Sequence, residues 1–170
     1  MATNAKDVAR LRGETGAGVM ECKRALEDSR GDFEKARALI RERGLEKAAR
    51  KSDRAANEGI VEAYIHAGGR IGALVELSSE TDFVARNPEF RALAREIAMQ
   101  VAATSPKYVS EDQLTGDDKG GRPEDLVLLR QPYIRDVSKT VGDIVTAYAA
   151  KTGENVRIGR ICRFELGRTA

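Results

Sequence analysis

The apolar residues of the first fifty positions recur at helical spacing and predict three short amphipathic helices. Asn4 stands where a helix N-cap is expected, and the glycine-rich stretch 13–18 ends the first helix. Gly31 and Asp32 separate the second helix from the third, and Gly44 is a candidate C′ residue for the third. The apolar stripes are Ala5, Val8 and Leu11, then Val19, Cys22 and Leu26, and then Phe33, Ala36, Leu39 and Ile40. Short helices joined by tight turns predict a small bundle.

The pattern changes after an alanine-rich, charged linker at residues 45–58. Residues 60–66 and 71–78 are rich in β-branched side chains, and the glycine pair 68–69 between them predicts a hairpin. The dipeptide Asn87-Pro88 then opens the clearest helix of the chain, with asparagine as the cap and proline in the first turn. The second part of the chain therefore begins as a hairpin followed by a helix.

The last third of the chain predicts a loop, a strand, a helix and a final strand. Residues 111–125 are acidic and without aromatic side chains, which predicts a solvated loop, and the apolar run 126–129 predicts a strand. Thr140 and Asp143 form a capping box, with Asp in place of Glu, that opens the next helix. The apolar residues that alternate in the final strand are Val156, Ile158, Cys162 and Phe164.

These elements predict an α+β fold with two domains. Residues 1–54 form a three-helix domain and its linker, and residues 55–170 form an antiparallel-sheet core unit with packed helices. The chain is 41% hydrophobic and 33% charged, with a net charge of +2, so a packed core is expected and a polyanion partner is not. No apolar run reaches the length of a membrane span, and the N-terminus lacks an apolar signal segment, so we expect a cytoplasmic protein without membrane contact.

The residues that catalysis or metal binding would need are scarce. His66 is the single histidine, and with Cys22 and Cys162 it cannot make a zinc site of the usual spacing. No phosphate-binding glycine motif is present, so we expect the chain to bind neither nucleotide nor metal on its own, with no cofactor and no enzymatic activity. Both cysteines are expected to be small buried hydrophobes, and the carboxylates of Asp117 and Asp118 are expected to keep ordinary pKa values in the polar loop.

Residues 79–87, between the second strand and the clearest helix, contain an unusual aromatic side chain. Phe83 stands beside Asp82 in a junction where short polar residues are the rule. One interpretation folds Phe83 back into the core near Phe90. The other makes it an aromatic anchor offered to a partner, and the pattern alone leaves both open.

Five segments, in chain order, resemble the elongation factor Ts family. They are residues 11–26, 31–51, 80–87 with the sequence ETDFVARN, 128–136 with LLRQPYIRD, and 153–167 with GENVRIGRICRFELG. Many members of this family carry a longer, mostly helical insertion where this chain has only the short loop 111–125. The resemblance covers most of the chain outside that loop.

The resemblance implies a guanine nucleotide exchange factor with two contact regions. The first three helices are similar to a ubiquitin-associated (UBA-like) bundle that docks on the nucleotide domain of elongation factor Tu, and the docking residues carried over are Arg12, Val19 and Met20. In the core unit, the matching motif consists of Thr81, Asp82, Phe83 and Val84. Asp82 and Phe83 are expected to intrude near the magnesium and nucleotide site of that partner, in its GDP-bound and nucleotide-free forms, so that GDP leaves.

Other interpretations remain open from the sequence. A homodimer through the core sheet is one, and an adaptor that binds a partner helix with the first bundle is another. A basic α+β RNA-binding module is a third, because Arg157, Arg160, Arg163 and Arg168 are close in sequence. Against RNA binding, aromatic side chains do not alternate with these arginines as stacking platforms would, so no nucleic-acid partner is expected.

Overall fold

The computed structural model describes residues 4–118 and 121–168, in which the chain divides into two compact units. The first unit contains the described residues up to Asp53 together with Thr146–Glu154, and the second contains the remainder. Three helices come first and an antiparallel sheet with packed helices follows, which confirms the predicted α+β fold. None of the helices in the described ranges combines the length and apolarity needed to cross a membrane.

The first unit is built around a three-helix bundle. Its helices are α1 (Ala5–Thr15), α2 (Val19–Asp28) and α3 (Phe33–Ala49). Its core consists of Leu11, Cys22, Ala25, Leu26, Ala36 and Ile40. The Asn4 side chain accepts a hydrogen bond from the Lys6 backbone N–H at 3.0 Å, and Asp32 accepts one from the Lys35 N–H at 3.1 Å. The predicted helices, caps and buried Cys22 are therefore confirmed.

The prediction that Gly44 ends the third helix is wrong. Helix α3 continues through Gly44 to Ala49, so the charged segment after it is partly helical. A Cβ atom at Gly44 would lie 3.1 Å from the Cβ atom of Ala150, which belongs to the same unit. Glycine is placed there because a neighbouring helix packs closely against α3.

The second unit contains a three-stranded antiparallel sheet with helix α5 on one face. The strands are β1 (Glu58–Ile65), β2 (Ile71–Ser79) and β5 (Arg157–Glu165), in the order β1-β2-β5, and α5 spans Pro88–Thr104. Helix α5 contacts all three strands, and Phe90, Ile97 and Val101 on it are fully buried. The Asn87 side chain accepts the Glu89 N–H at 2.9 Å, which confirms the predicted cap.

A bulge in β5 reverses the faces of its second half. Val75 of β2 pairs with Ile161, but Leu77 pairs with Ile158, so β5 carries one extra residue in this interval. Ile158 is buried, whereas Cys162, four positions later, is exposed. The prediction of a buried Cys162 is therefore wrong, because simple alternation assumes a strand without a bulge.

The remaining elements of the second unit are short. They are α4 (Asp82–Ala85), α6 (Pro123–Leu126), β3 (Pro132–Tyr133), β4 (Asp136–Thr140) and the start of α7 (Val141–Thr152). The Thr140 N–H donates to Asp143 Oδ2 at 2.8 Å and the Asp143 N–H donates to Thr140 Oγ1 at 3.1 Å, which confirms the capping box. The predicted strand at 126–129 is wrong, because Val127 forms only an isolated bridge and Leu128–Arg130 form a 3₁₀ turn. A run of four apolar residues does not by itself distinguish a strand from buried turns.

One carboxylate of the acidic loop is held by more contacts than the composition of the loop predicts. Asp118 is 6% exposed at its side chain and lies 2.6 Å from Lys107 Nζ. It also accepts hydrogen bonds from the Tyr108 hydroxyl at 2.8 Å and from the N–H and hydroxyl of Thr115. The Lys107 ammonium, followed by the Thr115 N–H, holds the pKa of Asp118 far below its ordinary value. The expectation of an unshifted pKa for Asp118 was wrong because Lys107 and Tyr108, which lie before the loop, fold against its carboxylate.

Replacing Asp118 by Asn is expected to lower the free energy of unfolding, by an amount that shrinks in acid. A carboxyl with a depressed folded pKa stabilises the fold fully above its unfolded pKa of about 4, and this contribution fades as the pH falls below that value. Urea denaturation at about pH 7 and about pH 3.5 measures the change, with Asp117→Asn, at an exposed neighbour, as the matched control. An equal loss at both pH values would contradict the charge-based explanation.

Candidate functional site

A single helical turn connects β2 to α5 and carries the aromatic motif. Helix α4 contains four residues, and Thr81 is its N-cap, with its hydroxyl accepting the Val84 N–H at 3.5 Å. A helix this short is not stable by itself. It is held by the burial of Val84 and Ala85, each 7% exposed, against the core of the second unit.

The side chain of Phe83 points into solvent. It is 83% exposed, whereas Phe90 in the next helix is fully buried. Successive residues of a helix lie about 100° apart, so a turn that buries Val84 and Ala85 directs Phe83 away from the core. Of the two interpretations left open by the sequence, the core packing of Phe83 is excluded by this geometry.

Charged groups flank the exposed ring. Arg86 Nη2 lies 3.0 Å from Asp82 Oδ2, and both side chains are more than half exposed. An ion pair this exposed contributes little to stability, on the order of 0–1 kcal/mol. The turn therefore presents an aromatic ring, a carboxylate and a guanidinium to solvent without depending on them for its fold.

The other three predicted site residues lie on the helical bundle of the first unit. Val19 and Met20 begin α2 and are 48% and 60% exposed, and Arg12 is exposed in the last turn of α1. A shallow groove between α1 and α2 is lined by Ala5, Val8, Ala9, Arg12, Gly13, Val19 and Lys23. Met20 lines a second, more charged groove between α2 and α3. Arg12 and Val19 therefore share one groove, and Met20 lies beside it.

The predicted residues thus form two groups in separate units. Arg12, Val19 and Met20 belong to the first unit, and the motif 81–84 belongs to the second. Within the motif, Phe83 and Asp82 are exposed, Thr81 caps the turn, and the side chain of Val84 is buried. Val84 therefore anchors the turn rather than offering its side chain to solvent.

The arginines near the C-terminus are engaged within the second unit. The contacts are Arg157 with the Ala56 carbonyl, Arg160 with Glu76, Arg163 with the Ala102 carbonyl and Glu165, and Arg168 with Glu165. Carboxylates and carbonyl groups of the protein already occupy these guanidinium groups. The carboxylates of Glu76 and Glu165 offset part of the positive charge of this region, while the Arg160 and Arg168 side chains remain 86% and 74% exposed.

Comparisons with known proteins identify the family. A family model described as elongation factor TS matches residues 31–119. A protein of Carboxydothermus hydrogenoformans named elongation factor Ts is 46% identical over 189 residues, covering 94% of this chain and 87% of that protein. The chain belongs to the elongation factor Ts family. A protein of the same name from Caldanaerobacter subterraneus subsp. tengcongensis is 45% identical, and the alignment covers 96% of this chain and 96% of that protein. Another from Thermodesulfovibrio yellowstonii is 42% identical, and the alignment covers 99% of this chain and 98% of that protein.

This member of the elongation factor Ts family is shorter than the relatives it matches. The alignment with the Caldanaerobacter protein runs over 193 positions, more than the 170 residues of this chain, so that relative carries residues which this chain lacks. Membership of the family makes the chain a translation elongation factor.

The outer face of the sheet is an apolar surface that the sequence analysis missed. The large apolar side chains exposed on or beside this face are Val61, Ile65, Leu74, Phe164 and Leu166, at 43–66% exposure. In the register of the sheet, Leu74 pairs with Cys162, so the exposed thiol lies on the same face. Apolar residues at both odd and even positions of the first strand, 60–65, were the available signal, because a strand that is apolar on both faces indicates contacts on both.

Replacing Phe83 by Ala is expected to leave the fold stable. The ring is mostly in solvent, so the free energy of unfolding should change by less than about 0.5 kcal/mol. Phe90→Ala is the matched control, since it removes the same ring from the core and should cost about 3–5 kcal/mol. Urea denaturation of the two variants measures the difference, and a comparable loss in both would mean that Phe83 packs into the core in solution.

Proposed function

We propose that this chain is a guanine nucleotide exchange factor that promotes GDP release from elongation factor Tu during translation elongation. The observation that carries the proposal is the exposed Phe83, held on a capped turn with a buried base in a member of the elongation factor Ts family. An aromatic side chain presented on a fixed turn suits an anchor that fills a pocket of a partner. We expect the protein to act in the cytoplasm, where translation takes place.

Phe83 acts as a wedge in this proposal, and Asp82 acts beside it. The ring inserts near the magnesium and nucleotide site of elongation factor Tu and displaces groups that hold the metal and the phosphates. GDP then dissociates and GTP can enter. The proposal involves no bond made or broken on this chain, so the chain acts as an exchange factor and not as an enzyme. It needs no cofactor of its own.

The free energy involved requires more than one side chain. A thousandfold faster release corresponds to about 4 kcal/mol of barrier. Burial of one Phe side chain supplies about 1.5–3 kcal/mol. Contacts elsewhere on the partner must supply the difference, and the whole protein must bind nucleotide-free elongation factor Tu more tightly than the GDP-bound form.

The helical bundle is the proposed source of that additional binding energy. In this proposal residues 1–54 are the docking domain and residues 55–170 the exchange domain, with the segment Thr146–Glu154 packed into the first unit. The groove that contains Arg12 and Val19 combines an apolar lining with a cationic rim, and the exposed, flexible Met20 adds an adaptable apolar contact. These features suit an amphipathic surface of the partner's nucleotide domain.

Removing the wedge is expected to slow exchange without unfolding the protein. Phe83→Ala should reduce the maximal rate of GDP release from elongation factor Tu of the same organism by at least about tenfold, and Asp82→Ala should change it in the same direction. Stopped-flow release of fluorescent GDP measures this rate. Val137→Ala is the matched control, because Val137 is 80% exposed and lies outside the motif. Unchanged release with Phe83→Ala would refute the wedge.

We also propose that two copies of the chain associate through the outer faces of their sheets. Sheets commonly pack face to face through such apolar surfaces. A twofold axis brings the same surface of both copies together. Glu76, which pairs with Val61 on this face, is neutralised by Arg160 at 2.7 Å, which limits like-charge repulsion. Cys162 lies on this face while Cys22 is buried, so any disulfide is expected to join two chains.

Introducing a charge into this face is expected to separate the copies. Leu74→Glu should convert a dimer into a monomer in sedimentation equilibrium at micromolar concentration, because the dimer would bury two carboxylates in an apolar contact. Val137→Glu places the same charge on an exposed apolar residue of β4, outside the three-stranded sheet, and should leave the dimer intact. A wild-type protein that sediments as a monomer at these concentrations would contradict the association.

A further inference from the structure

Glu80 lies at the point where the middle strand leaves the sheet toward the exposed turn. Ser79, the last residue of β2, pairs with Glu58 at the start of β1, and Ser78 pairs with Arg157 at the start of β5. The residue after β2 is therefore placed between the segments that enter the two edge strands. The side chain of Glu80 contacts both segments.

The Glu80 carboxylate takes part in a closed network of three residues. The Asn155 N–H donates to Glu80 Oε1 at 2.7 Å, and Arg54 Nη1 lies 3.4 Å from Glu80 Oε2. The side-chain amide of Asn155 donates in turn to the Arg54 carbonyl at 2.7 Å. Asn155 is 6% exposed and the Glu80 side chain is 20% exposed, so the amide and the carboxylate are largely shielded from water, whereas the Arg54 side chain is 55% exposed. Hydrogen bonds to a shielded carboxylate are shorter and stronger than those between neutral groups.

The network fixes the backbone immediately before the turn. Ser79 is fully buried, and its hydroxyl donates to the Thr81 carbonyl at 3.0 Å. Thr81 is the N-cap of α4, and Phe83 follows two residues later. Buried contacts of Ser79 and Glu80 therefore hold the residues preceding the cap, while the burial of Val84 holds the residues following it.

We propose that Glu80 is a positioning residue for nucleotide exchange, whose carboxylate sets the direction in which the turn presents Asp82 and Phe83. This inference rests on the proposed function of Phe83. A side chain that acts by insertion loses effect when it is misplaced by about 1 Å, a displacement that can cost on the order of a hundredfold in rate at a reacting site. A turn held in its bound direction before contact also avoids the entropic cost of ordering it on binding.

A double-mutant cycle separates positioning from general destabilisation. Glu80→Ala should lower the maximal rate of fluorescent GDP release from elongation factor Tu by about tenfold, and Glu80→Gln, which keeps an acceptor for the Asn155 N–H, should recover most of that loss. In the Phe83→Ala background, Glu80→Ala should cause a much smaller slowing, because only Asp82 is left to position. The effects of the two substitutions on the denaturation midpoint should still add, since stability does not depend on the exposed ring.

The possible outcomes distinguish the two hypotheses. Normal release with Phe83→Ala would refute the proposed wedge itself. If Phe83→Ala slows release, two results would overturn the positioning role and leave the wedge intact. One is that Glu80→Ala alone causes no loss of rate. The other is that adding Glu80→Ala to Phe83→Ala causes the full additional loss of rate. If Glu80→Ala fails to fold, Arg54→Ala replaces it in the cycle, since it removes one contact of the carboxylate from a side chain that is 55% exposed. Arg54→Ala should show a smaller loss that also shrinks in the Phe83→Ala background, and a loss of undiminished size there would overturn the positioning role.

Discussion

The presentation of Phe83 depends on the burial of the two residues that follow it. Val84 and Ala85 turn inward against the core of the second unit, and the geometry of one helical turn then leaves the aromatic ring outside. A flexible loop could also expose a Phe, but the ring would be free to collapse onto nearby apolar surface. Here the cap of Thr81 and the inward side chains oppose that collapse, so the exposed state is built into the fold.

Different residues of the second unit serve stability and binding. The core of the second unit is held by the sheet and by the apolar face of α5, so the side chains proposed to contact the partner are not needed for folding. Asp82 and Arg86 form an exposed ion pair, which contributes little to the free energy of unfolding. A protein organised in this way can direct its binding energy toward distorting the partner, because the exposed ring makes no contribution to its own core.

Local signals in the sequence predicted the elements that depend on neighbouring residues. The cap at Asn87 and the capping box at Thr140 are contacts between residues two or three positions apart, and both are present. Packing between distant segments decided the failures. Gly44 continues a helix because Ala150 packs against it, and Cys162 is exposed because of a bulge that only the pairing with β2 reveals. The exposure of Phe83 was undecided for the same reason, because the sequence does not state which side of a one-turn helix is covered.

Exchange by differential binding is tested most directly by comparing the affinity of this chain for the two states of elongation factor Tu. Titration calorimetry against the nucleotide-free and GDP-bound forms should show much tighter binding to the nucleotide-free form. By linkage, the ratio of the two affinities equals the factor by which the chain weakens GDP binding. Phe83→Ala should reduce this ratio. Equal affinity for both forms would contradict the mechanism, because a protein that binds two states equally shifts neither.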